Sequence, residues 1–324
     1  MSAALEKPAR FALGPDDKPI VIASAFIILL LVIGTAYTLV TAGTMTLLSP
    51  NYLLQQLQIG AFLGIVAAGM MLVILIGHID LSVAWTLAAS AMMATTVGGP
   101  WAIPTGLAVG LAVGLVNGLG VAYLRVPSMI FTLAVNAVMR GLMVAHTGGF
   151  APQTAATDLM RFLAAGRVGG IPMAIFVWVG VSIVIAVVLK RTVFGRTIYA
   201  IGNREAAAYL AGMRTRGVIV AAFAACGMLA GLAGVLLAGY STKAYQGMGD
   251  AYVLPAIAAV VIGGANILGG SGRYAGTVVG VVLIVLLNSV LSIMQMPEAG
   301  RQIIYGAVII TMLLAYRSGR VHQG

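Results

Sequence analysis

Charge is what this sequence lacks most. Only 8% of its 324 residues are Asp, Glu, Lys or Arg, against about 25% in ordinary soluble domains. A chain so poor in charge cannot clothe a water-facing surface. With 61% apolar residues and a mean hydropathy of +1.06, its outer surface must face membrane lipid. The single cysteine, Cys226, excludes an intrachain disulfide, and inside an apolar run it reads as a small core residue. The net charge of +10 does not mark a nucleic-acid partner, because the basic residues are few and sit at the ends of apolar runs. No Gly-x-x-x-x-Gly-Lys-[Ser/Thr] phosphate loop occurs, so the chain does not cradle ATP in that way. Three scattered histidines, His78, His146 and His322, supply neither a metal site nor a hydrolytic one, and no cofactor is implied.

What is present is a succession of apolar runs. A helix needs about twenty such residues to cross about 30 Å of hydrocarbon. That window gives an all-α, polytopic membrane protein of about ten spans: Ile20–Thr41, Leu57–Gly77, Leu81–Val97, Trp101–Tyr123, Pro127–His146, Ile171–Leu189, Gly217–Tyr240, Ala251–Leu268, Tyr274–Met294 and Gln302–Tyr316. The third and tenth are short, which suggests a broken or partly inserted segment. No small-residue cleavage site follows the first run, so it reads as an uncleaved span.

Placing the N-terminus inside puts most basic residues, including Lys7, Arg10, Lys18, Arg125, Lys190, Arg191 and Arg317, on the inner side. The outer segments then hold only Arg161, Arg167, Lys243 and Arg301. The positive-inside rule therefore expects both termini in the cytoplasm. The chain divides into a cytoplasmic tail (1–19), a membrane domain (20–316) and a second cytoplasmic tail (317–324). An outer loop spans 147–170, with Asp158 to Ala165 able to form a short helix. The inner loop 190–216 is the most charged part of the chain. Within it, Asn203 is expected to cap a helix starting near Arg204, Glu205 to favour its first turn, and Gly212 to stop it.

Glycines recur every fourth residue at Gly106, Gly110, Gly114 and Gly118, and again at Gly272, Gly276 and Gly280. Each stripe is a flat groove for close backbone approach, serving either static packing or a sliding contact. The Gly263-Gly264 and Gly269-Gly270-Ser271-Gly272 stretch is expected to break its helix. Such breaks are tolerated where backbone lines a cavity or is buried in protein. Gly77–Ser82 is faintly similar to Gly264–Gly269, an internal offset of about 187 residues.

Three stretches go further: Ile76-Gly77-His78-Ile79-Asp80-Leu81-Ser82-Val83, then Gly195-Arg196-Thr197-Ile198-Tyr199-Ala200-Ile201-Gly202-Asn203 with Glu205-Ala206-Ala207, then Pro255 to Gly264 with Gly269-Gly270-Ser271-Gly272. Together and in this order they resemble the ribose-type permease subunits of bacterial ABC importers, relatives of the branched-chain amino acid permeases. The resemblance covers nearly the whole chain. It implies a multi-pass protein of the bacterial inner membrane that imports a monosaccharide or similar polyhydroxylated solute. It implies three partners: a cytoplasmic ABC ATPase, a periplasmic sugar-binding protein and a second permease, either a copy or a paralogue. It also implies that Glu205, Ala206 and Ala207 belong to an ATPase-coupling motif, although the motif's glycine falls one residue late, at Gly212, and its Leu-Pro is missing.

Within the spans, candidates for a translocation path or gate are Asp80, Trp85, Asn136, Arg140 and Asn266, since polar groups in hydrocarbon usually face a cavity or a partner. Asp80 reads either as a substrate or gate contact or as a helix cap. Asn136 and Arg140, one turn apart, read as pore-lining, as a subunit contact or as interhelical hydrogen bonding. Competing functions are a same-type permease for a furanose-like signal, a nucleoside or a branched-chain amino acid, and an ATP-independent secondary transporter. The last expects paired acids deep in several spans, where only Asp80 is available.

Overall fold

A computed structural model describes residues 18–307 and 310. Its helices are α1 (Lys18–Ala42), α2 (Pro50–Leu75), α3 (Val83–Val97), α4 (Ala102–Leu124), α5 (Ser128–Thr147), α6 (Asp158–Ala165), α7 (Met173–Arg191), α8 (Val193–Leu210), α9 (Thr215–Ser241), α10 (Val253–Ile262) and α11 (Tyr274–Ile293). A further helical stretch covers 298–307. The only strands among the described residues, β1 (Arg167–Val168) and β2 (Ile171–Pro172), form a small antiparallel hairpin. Seven helices are long and apolar enough to cross a membrane, and two shorter apolar ones, Val83–Val97 and Asp250–Ile262, accompany them.

α2 and α9 form the centre. Ser49 caps α2 by accepting from Tyr52 N at 3.2 Å, with Pro50 in the first turn. The helix is then buried without interruption from Gly60 to Leu75. In lipid, burying apolar side chains adds little hydrophobic drive, because hydrocarbon tails are equally apolar; tight packing must hold the bundle instead. The glycine stripe of α4 provides it. A Cβ on Gly110 would lie 2.3 Å from Gly227 O, and one on Gly227 would lie 2.2 Å from Gly110 O. Gly114 and Gly118 press likewise on Phe223 and Val220 of α9. The second stripe does the same for α10 and α11, where Gly276 faces Gly263 O and Gly280 faces Ala259 O. By contrast, α1 buries only Ala23, Gly34 and Thr38, leaving an apolar face for lipid or a partner.

Most expected spans appear within two residues; α2 begins seven residues earlier than expected, at Pro50. Two needed correction. Leu81–Val97 starts in extended chain, and its helix is fifteen residues long. Ala251–Leu268 is not one continuous helix: its helix stops at Ile262, so the break expected at Gly263-Gly264 falls inside it. The last expected span and the tail 317–324 extend beyond the described residues, as does most of the tail 1–19. The inner loop 190–216 is mostly helical: α8 is two helical halves joined by a kink at Arg204, and the second half runs from near Arg204 to its stop at Gly212, as expected.

Candidate functional site: two broken helices and the segment that joins them

α2 ends in a Schellman turn. Gly77 takes φ +80°, His78 N donates to Val73 O at 3.0 Å, and Gly77 N donates to Ile74 O at 2.9 Å. Beyond it the backbone runs extended to Ser82 before α3 begins. At 1.5 Å per residue α3 is only about 22 Å long, short of a full crossing. Non-helical backbone at this depth must find partners inside the protein.

α5 supplies them. Ile79 N donates to Ser128 Oγ at 3.3 Å, Leu81 N to Thr132 Oγ1 at 3.0 Å, and Trp85 N to Asn136 Oδ1 at 3.2 Å. One turn further, the Arg140 guanidinium sits 5.9 Å from the centre of the Trp85 ring. The register has a simple cause. Four helical residues advance about 6.0 Å and two extended residues about 6.6 Å, so Ser128 and Thr132 keep pace with Ile79 and Leu81, while Asn136, one turn on, reaches Trp85 N in the first turn of α3. Trp85, Asn136 and Arg140 thus come together. Ser128 and Thr132 belong to the same ladder and were missed, because Ser and Thr in an apolar helix carry little signal until the extended neighbour is known.

Asp80 points the other way, into the packing of α4 and α9, and is fully buried. Its Oδ1 accepts from Ser82 N at 2.9 Å, Ser82 Oγ at 2.7 Å and Asn117 Nδ2 at 3.3 Å. The N-cap position of α3 is Ser82. Asp80 therefore shapes an Asx turn two residues earlier, instead of the cap expected from sequence.

α10 ends as α2 does. Gly264 takes φ +92°, Ala265 N donates to Val260 O at 3.1 Å, and Gly264 N to Val261 O at 2.9 Å. Gly77 and Gly264 are the two positions that the internal offset equates. Asn266 then folds the following loop on itself: its Nδ2 donates to Gly269 O at 3.0 Å, and its Oδ1 accepts from Leu268 N at 3.2 Å. Asn266 lies far along the chain from the α3–α5 group and bonds only within this loop.

Both breaks meet α8. Thr192 caps this helix through Gly195 N at 3.1 Å. The helix kinks at Arg204 (φ −164°, ψ 99°), and its second half ends in another Schellman turn at Gly212 (φ +80°). Asn203 is not the cap the sequence suggested. Its Nδ2 donates to Tyr199 O at 2.9 Å and to Gly270 O at 3.3 Å, which ties α8 to the loop after α10. Tyr199 Oη reinforces this by donating to Gly272 O at 2.9 Å. Gly270 N in turn donates to Leu75 O at 3.0 Å, at the end of α2. Gly202 sits where the three meet: a Cβ there would lie 1.9 Å from Leu75 O and 2.3 Å from Gly270 N. Sequence reasoning missed it, since a glycine in a charged loop suggests flexibility and not contact.

Past the kink, Glu205 pairs with Arg125 at 2.8 Å, at the end of α4. Ala206 and Ala207 are exposed, while Ala208 is buried. Tyr209 and Leu210 are 66% and 85% exposed, an apolar tip offered away from the bundle.

Residues 52–313 match the family described as branched-chain amino acid transport system / permease component. The chain is 35% identical over 292 residues to the ribose import permease protein RbsC of Escherichia coli K12, covering 85% of this chain and 90% of that one. It is 37% identical to RbsC of Bacillus subtilis 168, covering 83% and 86%. It is 31% identical to the autoinducer 2 import system permease protein LsrC of Yersinia pseudotuberculosis, covering 77% and 72%. No solved structure matches. With all three quoted stretches falling inside the matched region, at the end of α2, in α8 and at the break after α10, the chain belongs to this family of transport permeases, in its ribose-type branch.

Proposed function

We propose that this protein is the membrane-spanning subunit of an ATP-driven importer for a monosaccharide or similar small polyhydroxylated solute. It sits in the bacterial inner membrane, crosses it about ten times, and keeps both termini in the cytoplasm. It works as a dimer with a copy or a paralogue, receives solute from a periplasmic sugar-binding protein, and leaves ATP hydrolysis to a separate cytoplasmic ATPase. The observation that carries this reading is the junction at Gly202. A helix with an exposed apolar tip bears directly on the end of the long helix α2 and on the loop that follows the short helix α10, which is what a motor outside the membrane needs in order to move the path inside it.

In this reading the second half of α8, from Glu205 through Ala206 and Ala207 to Gly212, docks on the ATPase through Tyr209 and Leu210. Asn203 transmits the movement to the loop shaped by Asn266. On the other side, displacement of the α2 end shifts the extended chain at Asp80 and the group formed by Trp85, Asn136 and Arg140, which acts as a gate held by hydrogen bonds. Discontinuous helices are a common way for transporters to place a movable element near mid-membrane. The likeness to LsrC favours one variant of the same reading, a furanose-like signal molecule as solute.

Uptake of D-ribose into vesicles carrying the chain with its ATPase and binding protein tests the proposal. Uptake is expected to require all three and ATP; transport by this chain alone overturns it. Deleting residues 203–212 is expected to abolish ATPase association while membrane insertion persists, and unchanged association overturns the docking assignment.

A further inference from the structure

Away from the junction, the N-terminal end of α2, the second half of α11 and the stretch 298–307 enclose a cavity of about 330 Å³, in the range of about 300–1,000 Å³ usual for small-molecule sites. It reaches from Tyr52, in the first turn of α2, to Leu63. Eleven residues of helix put its floor roughly 16 Å from its mouth. With the orientation proposed above, the mouth is periplasmic and the floor lies near mid-bilayer. None of the path or gate candidates Asp80, Trp85, Asn136, Arg140 and Asn266 lines it.

Its chemistry is selective. Tyr52 Oη and Ser289 Oγ, 2.5 Å apart, join α2 to α11 across one side. Arg301 is held from two directions: Nη1 donates to Asn288 Oδ1 at 2.8 Å, and Nη2 pairs with Glu298 Oε2 at 2.9 Å. Its Nε is buried without a partner among the described residues. The Gln56 amide, also on the wall, has no hydrogen-bond partner among the described residues. The opposite wall, with Leu63 and Ile284, is apolar.

A guanidinium grips a carboxylate by presenting two N–H groups side by side. Here one N–H of each terminal nitrogen is engaged and Glu298 balances the charge, so a carboxylate finds no net positive field and meets a carboxylate already in place. What remains is the Nε donor, the second N–H of each terminal nitrogen, an amide that donates and accepts, and an apolar wall. That set fits hydroxyl groups along one edge of a sugar and the C–H face along the other. We infer that this cavity is an outward-facing holding site for a neutral polyhydroxylated solute and rejects solutes that carry a carboxylate. The inference rests on the importer reading above.

Single cysteines replacing Gln56 and, as a control outside the cavity, the exposed Gln153 are to be placed in the chain assembled with its ATPase in right-side-out vesicles. Cys226 is buried and stays in place. A membrane-impermeant thiol reagent then reports access. D-ribose at about twice its half-saturating concentration is expected to slow labelling of Gln56→Cys about threefold, by simple occupancy. L-leucine is expected to leave it unchanged, and neither solute affects Gln153→Cys. No slowing by D-ribose, or equal slowing by both solutes, overturns the assignment. Independently, Gln56→Leu is expected to lower ATP-driven D-ribose uptake about fivefold, the worth of one hydrogen bond, with ATPase assembly intact; full uptake overturns it. If the unaltered importer carries leucine and not ribose, the importer reading itself fails. If ribose uptake is normal but Gln56 is neither protected nor needed, only the site is wrong.

Discussion

Arg125 Nη1 and Glu205 Oε1 lie 2.8 Å apart, joining the end of α4 to the distal half of α8 across 80 residues of chain. Arg125 holds this position with φ +57°, a left-handed conformation at the C-cap of α4. The two side chains are 52% and 32% exposed, so water screens the pair and its worth to stability is about 0–1 kcal/mol. Its effect is expected on coupling instead. Glu205→Arg should leave the melting temperature in detergent nearly unchanged and reduce ATP-driven uptake several-fold. The double exchange Arg125→Glu with Glu205→Arg should restore most of it. A melting shift as large as the uptake loss would argue that the pair is structural.

Gly202→Ala places a Cβ against backbone at Leu75 and Gly270, where no flexible side chain can yield. Overpacking of this kind costs about 1–3 kcal/mol or more. Thermal unfolding of the purified chain should show the drop. Gly217→Ala, with nothing within 4 Å of its added methyl, should be neutral or slightly stabilising. Equal behaviour of the two variants would remove the junction from the argument.

Along α5, Thr132→Val and Asn136→Leu each keep an apolar helix but strand one N–H of the extended segment, at Leu81 or Trp85. Each is expected to cost about 1–3 kcal/mol, as a buried unpaired donor does. Hydrogen exchange at Leu81 and Trp85, read by mass spectrometry in micelles, should accelerate in the matching variant and not in the other.

Asp80→Asn retains an Oδ1 that accepts from Ser82 N and Ser82 Oγ, and should cost little. Asp80→Leu removes that acceptor and leaves Ser82 N unpaired, at about 1–3 kcal/mol, while Asn117 Nδ2 keeps its bond to Ser82 Oγ. Thermal stability of the two variants in one detergent separates the roles. If Asn proves as damaging as Leu, the negative charge itself matters and Asp80 is more than a turn former.

The membrane helices were legible because length and hydropathy alone set them, and α4, α5 and α9 fall within two residues of expectation. α10 was misjudged for a physical reason: residues 251–268 are apolar throughout, and hydropathy does not register a backbone that has stopped being helical. The glycines that stop it were visible, and the break was anticipated at the right residues. The candidate site was half legible. Trp85, Asn136 and Arg140 do assemble, since rare polar groups in apolar helices seek one another. Asn203 and Asn266 were picked out for plausible reasons and serve different ones, because an amide's partners depend on which loops the fold brings near. Gly202 and the cavity around Gln56 and Arg301 were not legible at all. Each is made by residues more than a hundred positions apart.

Gly77 and Gly264 end their helices with the same turn, and the same stretch of α8 bears on the end of α2 at Leu75 and on the loop after α10 at Gly270. In the importer reading, timing follows from that shared support. A push delivered at Tyr209 would reach both through one fulcrum, so that the two halves of the subunit would move in step.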